Sequence, residues 1–238
     1  MRRRSWLRNT VRVLVAVAML PLCLGATRAL LRLFAASGQL STLWIAAATG
    51  AAVWVVFFLN LPKPMWVYVI GHEFTHALWN WAFGGRLKSF KATSKGGYVV
   101  ITKDHFLITL APYFFPLYTI LWMVAVGLFQ MMTSWKVPSG LLEFGVGATY
   151  AFHVTLTWHV LQIRQPDLET EGIFFSAVVI WLGNVTVLLV AWWMVTHAVP
   201  GISVVRWVVD DTSEVFRGIG RIFSRRPILP GAEWRAGW

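Results

Sequence analysis

Two histidines four residues apart, with a glutamate after the first, make one cluster in this chain: His72-Glu73-Phe74-Thr75-His76. On a helix, positions i and i+4 share a face one turn apart, so both imidazoles can reach one metal ion. Glu73 is then placed to contact a water on the ion rather than the ion itself. A zinc ion with three protein ligands keeps a fourth position for water and brings the pKa of that water to about 7. Glu73 can take the proton and deliver it to a leaving amine. The chemistry this implies is metal-assisted hydrolysis. Five-residue patterns of this kind also arise by chance, but the context argues against it. The cluster lies between Met65-Trp66-Val67-Tyr68-Val69-Ile70 and Ala77-Leu78-Trp79. Ionisable groups inside an apolar span are costly and by default functional.

Two histidines do not complete a site. Asp167 is the expected third ligand. It follows Gln165-Pro166, where the proline breaks a helix and lets a carboxylate turn inward. Glu169 and Glu171 are close rivals, although a solvated acidic loop is their expected role. His153 and His159 can also reach such a site, but a six-residue separation is poor helical spacing for a shared ion. They are expected to be packed, or to support the ligands from behind. His105, beside Asp104, and His197 read as interfacial. Asn184, polar in an apolar run, is expected to hydrogen-bond between helices, with substrate binding as its other possible role.

The elements that must position these residues are apolar spans. No Asp, Glu, Lys or Arg occurs from Leu33 to Pro62, from Phe106 to Trp135, from Phe144 to Ile163, or from Gly172 to Val205. Each run is long enough to cross a hydrocarbon core. Charged residues make up 13% of the 238-residue chain, about half the ~25% of a soluble domain. The expected fold is an all-α polytopic membrane protein of about six transmembrane helices. The spans run from about Val11 into the 30s, Thr42 to Leu61, Met65 to Phe83, His105 to Met132 (kinked at Pro112 and Pro116), Leu141 to Gln162, and Gly172 to Val199. Three regions follow: N-terminal spans over 1–62, a membrane core over 63–200 carrying the motif, and a basic tail over 201–238.

A net charge of +11 raises the question of nucleic acid, and its placement answers it. The basic residues sit at the N-terminus (Arg2, Arg3, Arg4, Arg8), in one loop, and in the tail (Arg217, Arg221, Arg225, Arg226). Cations flanking apolar spans are topogenic and bind lipid headgroups. The expected partners are therefore the lipid bilayer and a membrane-protein substrate, with no nucleic acid. The single cysteine, Cys23, permits no disulfide within the chain. The expected location is multi-pass, in the bacterial inner membrane.

Two pieces lie outside the spans. Arg86 to Thr102 has partial alternation, a Gly96-Gly97 pair and a β-branched second half, which predicts a β-hairpin turning at those glycines. In the tail, Val208, Val209, Val215, Phe216, Ile219, Ile222 and Phe223 recur at roughly helical spacing. That predicts an amphipathic helix on a membrane surface.

The motif on a span, then Gly84-Gly85, the Gly96-Gly97 hairpin and a proline-containing span together resemble the site-2-protease family of intramembrane zinc metallopeptidases. Gln165-Pro166-Asp167 is similar to that family's Asn-Pro-Asp-Gly motif, with Gln for Asn and Leu168 for Gly. The resemblance covers about Met65 to Ser176. It implies zinc held by His72, His76 and Asp167, Glu73 as acid–base, and a hairpin dipping toward the site. Gly96, Gly97 and Tyr98 are then candidate substrate-binding residues, since an extended substrate can pair with an open strand edge. A non-catalytic membrane scaffold and a metal or proton transporter are the competing functions.

Overall fold

The computed structural model describes residues 2–37, 41–196 and 198–224. His197, Arg225 and Arg226 lie outside the described residues. The fold is mostly helical with one small sheet, in the order α1 (Arg2–Ala36), α2 (Ser41–Asn60), α3 (Met65–Ala82), β1 (Leu87–Thr93), β2 (Gly96–Ile101), α4 (Phe106–Leu110), α5 (Leu117–Met132), α6 (Ser139–Leu161), α7 (Pro166–Glu171), α8 (Ile173–Thr196) and α9 (Gly201–Ser224).

Among the described residues, two helical stretches are long and apolar enough to cross a membrane by themselves, Leu7–Ala36 and Ile173–Thr196. The number rises to four if each of two bent pairs counts as one span. The bends fall at prolines. α2 and α3 meet at 119° across Leu61-Pro62-Lys63-Pro64, and α4 with the turn after it meets α5 at 77°. A proline ring clashes with the preceding turn and removes a backbone donor, so a helix stops or kinks there. The fourth expected span is accordingly two pieces joined by a single 3-10 turn, Ala111–Tyr113.

Helices whose backbones approach closely need small residues where they cross. α2 and α6 illustrate this. A β-carbon on Gly50 would sit 2.0 Å from the Phe144 carbonyl oxygen, and one on Gly147 would sit 1.9 Å from that of Ala47. Neither glycine tolerates a side chain without the helices separating. Ala16 and Cys23 of α1 pack with Tyr113, Phe114, Phe175 and Val179. Further along α1, Ala26, Ala29, Leu30 and Leu33 meet Val185 and Leu189 of α8, with Val204, Trp207 and Val208 of α9.

The tail is thus a helix packed on α1. Arg32 meets the buried Asp211 at 2.7 Å, and Arg28 approaches Glu214 at 3.8 Å. Only part of its apolar face is covered, since Ile202, Val205, Val209 and Phe216 stay exposed.

The hairpin forms, with its turn two residues before the glycines. The turn is Ser94-Lys95, with Thr93 opposite Gly96 and Ala92 opposite Gly97. Gly96 instead opens β2 at φ +135°, a conformation that disfavours any side chain. The base of the hairpin is tied to α3. The fully buried Asn80 accepts from the Lys103 amide through its side chain and from the Gly85 amide through its carbonyl.

Candidate metal centre

α3 turns Glu73 and His76 inward, with His72 half-buried beside them. α7 brings in the third group. The Gln165 side chain caps the end of α6 by donating to the Val160 carbonyl at 2.9 Å. Pro166 then starts α7, where its fixed φ suits a first helical position and its missing N–H is no loss. Asp167 falls in that first turn. Its Oδ2 lies 3.4 Å from His72 Nε2 and 3.5 Å from His76 Nε2. One ligand atom from each residue lies within 4.8 Å of the others, so the three can hold a metal ion.

The two distances are informative. A direct charge-assisted hydrogen bond would be about 2.7–2.9 Å long. Two ligands on a tetrahedral ion with bonds of about 2.0–2.1 Å are separated by ~3.3–3.4 Å, the edge of the tetrahedron. The observed spacing fits the edge of such a tetrahedron, and His72, His76 and Asp167 fit a metal in both chemistry and separation.

The supporting contacts come from the broken span. His76 Nδ1 donates to the Ile108 carbonyl at 2.8 Å. A carbonyl only accepts, so a proton sits on Nδ1, which leaves Nε2 as the ring atom that faces Asp167. That carbonyl is free because of Pro112. Four residues on from Ile108, it lacks the N–H that a continuous helix would have supplied. The Tyr113 hydroxyl donates to Asp167 Oδ2 at 3.0 Å, and its ring meets His72 edge-to-face at 5.2 Å. Burial raises the Asp167 carboxyl, and the two imidazoles more than reverse that, holding it below the ordinary carboxylate range. His72 Nδ1 is buried and has no hydrogen-bond partner among the described residues.

A cavity of about 630 Å³ opens onto these groups. His72, Glu73, His76 and Asp167 border it on one side, and Gly96, Gly97, Tyr98 and Val99 of β2 on another. Gly97 lies directly over Glu73: a β-carbon there would come 2.8 Å from Glu73 Cγ. The side of β2 away from β1 has no strand partner among the described residues.

Comparison with family models, curated proteins and solved structures finds no match. The site therefore has to be read from its own geometry.

Other expected residues fall elsewhere. Asn184 does not line the cavity; it donates to the carbonyls of Tyr113 and Ile180, tying α8 to the turn that carries Tyr113. His153 is buried behind His72, beside a second, very small cavity. His159 sits against Phe58, and His105 caps α4 by accepting from the Leu107 amide. Glu169 pairs with the exposed Arg164, as a solvated loop residue does. Glu171 departs from that expectation: it is 3% exposed and bound by Arg12. Tyr113 and the Ile108 carbonyl escaped the sequence reading, although a tyrosine at an intramembrane proline break needs a polar partner for its hydroxyl.

Proposed function

We propose that this chain is a zinc-dependent intramembrane metalloprotease of the site-2-protease type, hydrolysing a peptide bond in or near a membrane span. One observation carries the reading: three candidate ligands, a carboxylate beside them and an unpaired strand edge all border the same cavity. Two imidazoles and a carboxylate are a ligand set that zinc takes in protein sites. In this reading α2, α3, the α4–α5 pair and α6 cross the bilayer with α1 and α8, giving six spans in the bacterial inner membrane.

His72, His76 and Asp167 would hold the ion. Zinc so held would polarise the scissile carbonyl and lower the pKa of the attacking water. Glu73 takes a proton from that water and returns it to the leaving amine. A substrate helix must first unwind, because its own hydrogen bonds engage the scissile carbonyl. The free edge of β2 offers replacement hydrogen bonds to an extended segment. Gly96 and Gly97 let that segment approach Glu73, and the exposed Tyr98 packs beside it. Pairing across several residues would set which bond lies over the metal.

The test joins metal content to turnover. Purified wild type should hold one zinc per chain and cleave a membrane-spanning reporter in lipid vesicles. Glu73→Gln should keep the metal and lose cleavage. Zinc without cleavage in the wild type would make the chain a scaffold, and metal flux across the vesicle wall would make it a transporter.

A further inference from the structure

We propose that Arg12, in the first helix, is a positioning residue for the metal centre: it grips α7 and through it holds the Asp167 carboxylate against the two histidines. The proposal rests on the metal reading above and extends the site to a helix that the motif does not touch.

Arg12 stands in an apolar stretch of α1 whose neighbours Val11, Val13, Leu14 and Val15 are exposed. A guanidinium facing lipid is costly, so such a residue turns toward protein and finds a partner. Arg12 finds two on α7. Its Nη2 donates to the Glu171 carboxylate, and its Nη1 donates to the Thr170 carbonyl at 2.6 Å. The paired, planar donors of arginine fix direction as well as distance.

α7 needs such a grip. It has only six residues, and a helix that short does not hold itself together in isolation. Its start is fixed by Gln165 on the Val160 carbonyl, and its middle by Leu168 in the core, with the Ser176 hydroxyl donating to the Leu168 carbonyl at 3.4 Å. Its end passes into Gly172 at φ +90°, a residue that leaves the direction of the chain open. Arg12 supplies the charged contact at that end. Glu171 is four residues after Asp167, one helical turn away, so a shift at Glu171 carries to the carboxylate. The buried Glu171 would in turn stand uncompensated without Arg12.

The test uses the full-length protein in detergent micelles. Zinc affinity is measured by chelator competition, and Co²⁺ absorption is recorded as a report on the number and type of ligands. Arg12→Ala should weaken zinc binding roughly 10- to 100-fold, the range for partners that orient metal ligands. Its cobalt spectrum should shift toward that of Asp167→Ala, and Arg12→Lys should restore part of the affinity. If Arg12→Ala fails to fold, Glu171→Gln, which keeps the side-chain volume but loses the charge, should give the same spectral shift. An unchanged dissociation constant would overturn the proposal. So would weaker binding with a wild-type cobalt spectrum, which marks a merely structural ion pair. If the wild type binds neither metal, the metal reading itself fails, and the proposal with it.

Discussion

Replacing Tyr113 with Phe removes one oxygen from the proposed metal centre and little else. The ring stays, still edge-to-face with His72 and still filling space that is 1% exposed. What goes is the 3.0 Å bond to Asp167 Oδ2. A hydrogen bond to a charged group contributes about 1.5–3 kcal/mol, and water from the cavity that Asp167 borders returns part of it. Without it the carboxylate can rotate away from the histidines, so holding the ion must also re-order Asp167. At ~1.4 kcal/mol per decade the upper bound is a ~10- to 150-fold rise in dissociation constant. Partners of this type usually account for ~10- to 100-fold. We expect a change in that range by chelator competition in detergent, with helix content by circular dichroism unchanged. A zinc dissociation constant within twofold of wild type would refute the reasoning, because Asp167 would then be held without Tyr113 or would not be a ligand.

Other perturbations separate the parts of the site. Asp167→Ala should lower bound zinc measured by mass spectrometry, while Glu169→Ala, which loses only a contact to exposed Arg164, should leave it near wild type. Gly97→Ala would put a β-carbon 2.6 Å from the Lys91 carbonyl oxygen and 2.8 Å from Glu73 Cγ, so the hairpin and Glu73 must both shift by several tenths of an ångström. Since a ~1 Å misplacement can cost ~10²-fold in rate, cleavage should fall about tenfold while zinc content stays; equal cleavage would unseat the hairpin from the mechanism. Arg32→Ala strands a carboxylate that is 1% exposed, a loss of about 3–5 kcal/mol. Asp211→Asn leaves only a half-exposed arginine and should lower the melting temperature much less. Equal losses would show that Asp211 is wet.

Local pattern carried far in this chain where the chemistry is local. His72 and His76 share a helix face because they are four apart. Pro166 marks where α6 ends and α7 begins, and the glycine pair lies at the hairpin. Each signal is contained in a few neighbouring residues. The turn falls two residues earlier than expected because Gly96 and Gly97 serve two other needs, a positive φ and room over Glu73. The fourth expected span is a break because Pro112 lies in a 3-10 turn and Pro116 follows just before α5. The expectation for Glu171 failed for a different reason: its partner lies 159 positions away in α1, and no periodicity relates the two. The tail helix reads correctly as amphipathic, but the packing of Asp211 on Arg32 depends on which helix α9 meets.

That packing bears on how the chain is assembled. Arg28 and Arg32 lie in a helix otherwise suited to the bilayer, and their acidic partners Glu214 and Asp211 are made well over a hundred residues later. At ~5–20 residues per second, synthesis takes on the order of 10–40 s to pass from one set to the other. Through that interval the first helix carries two uncompensated cations that the membrane resists. A chain in this state favours delayed or shallow insertion of α1, or shelter by an insertion factor. α9 then acts as a latch that closes only once it has been made, so its loss would be registered first at α1, as a helix that fails to settle.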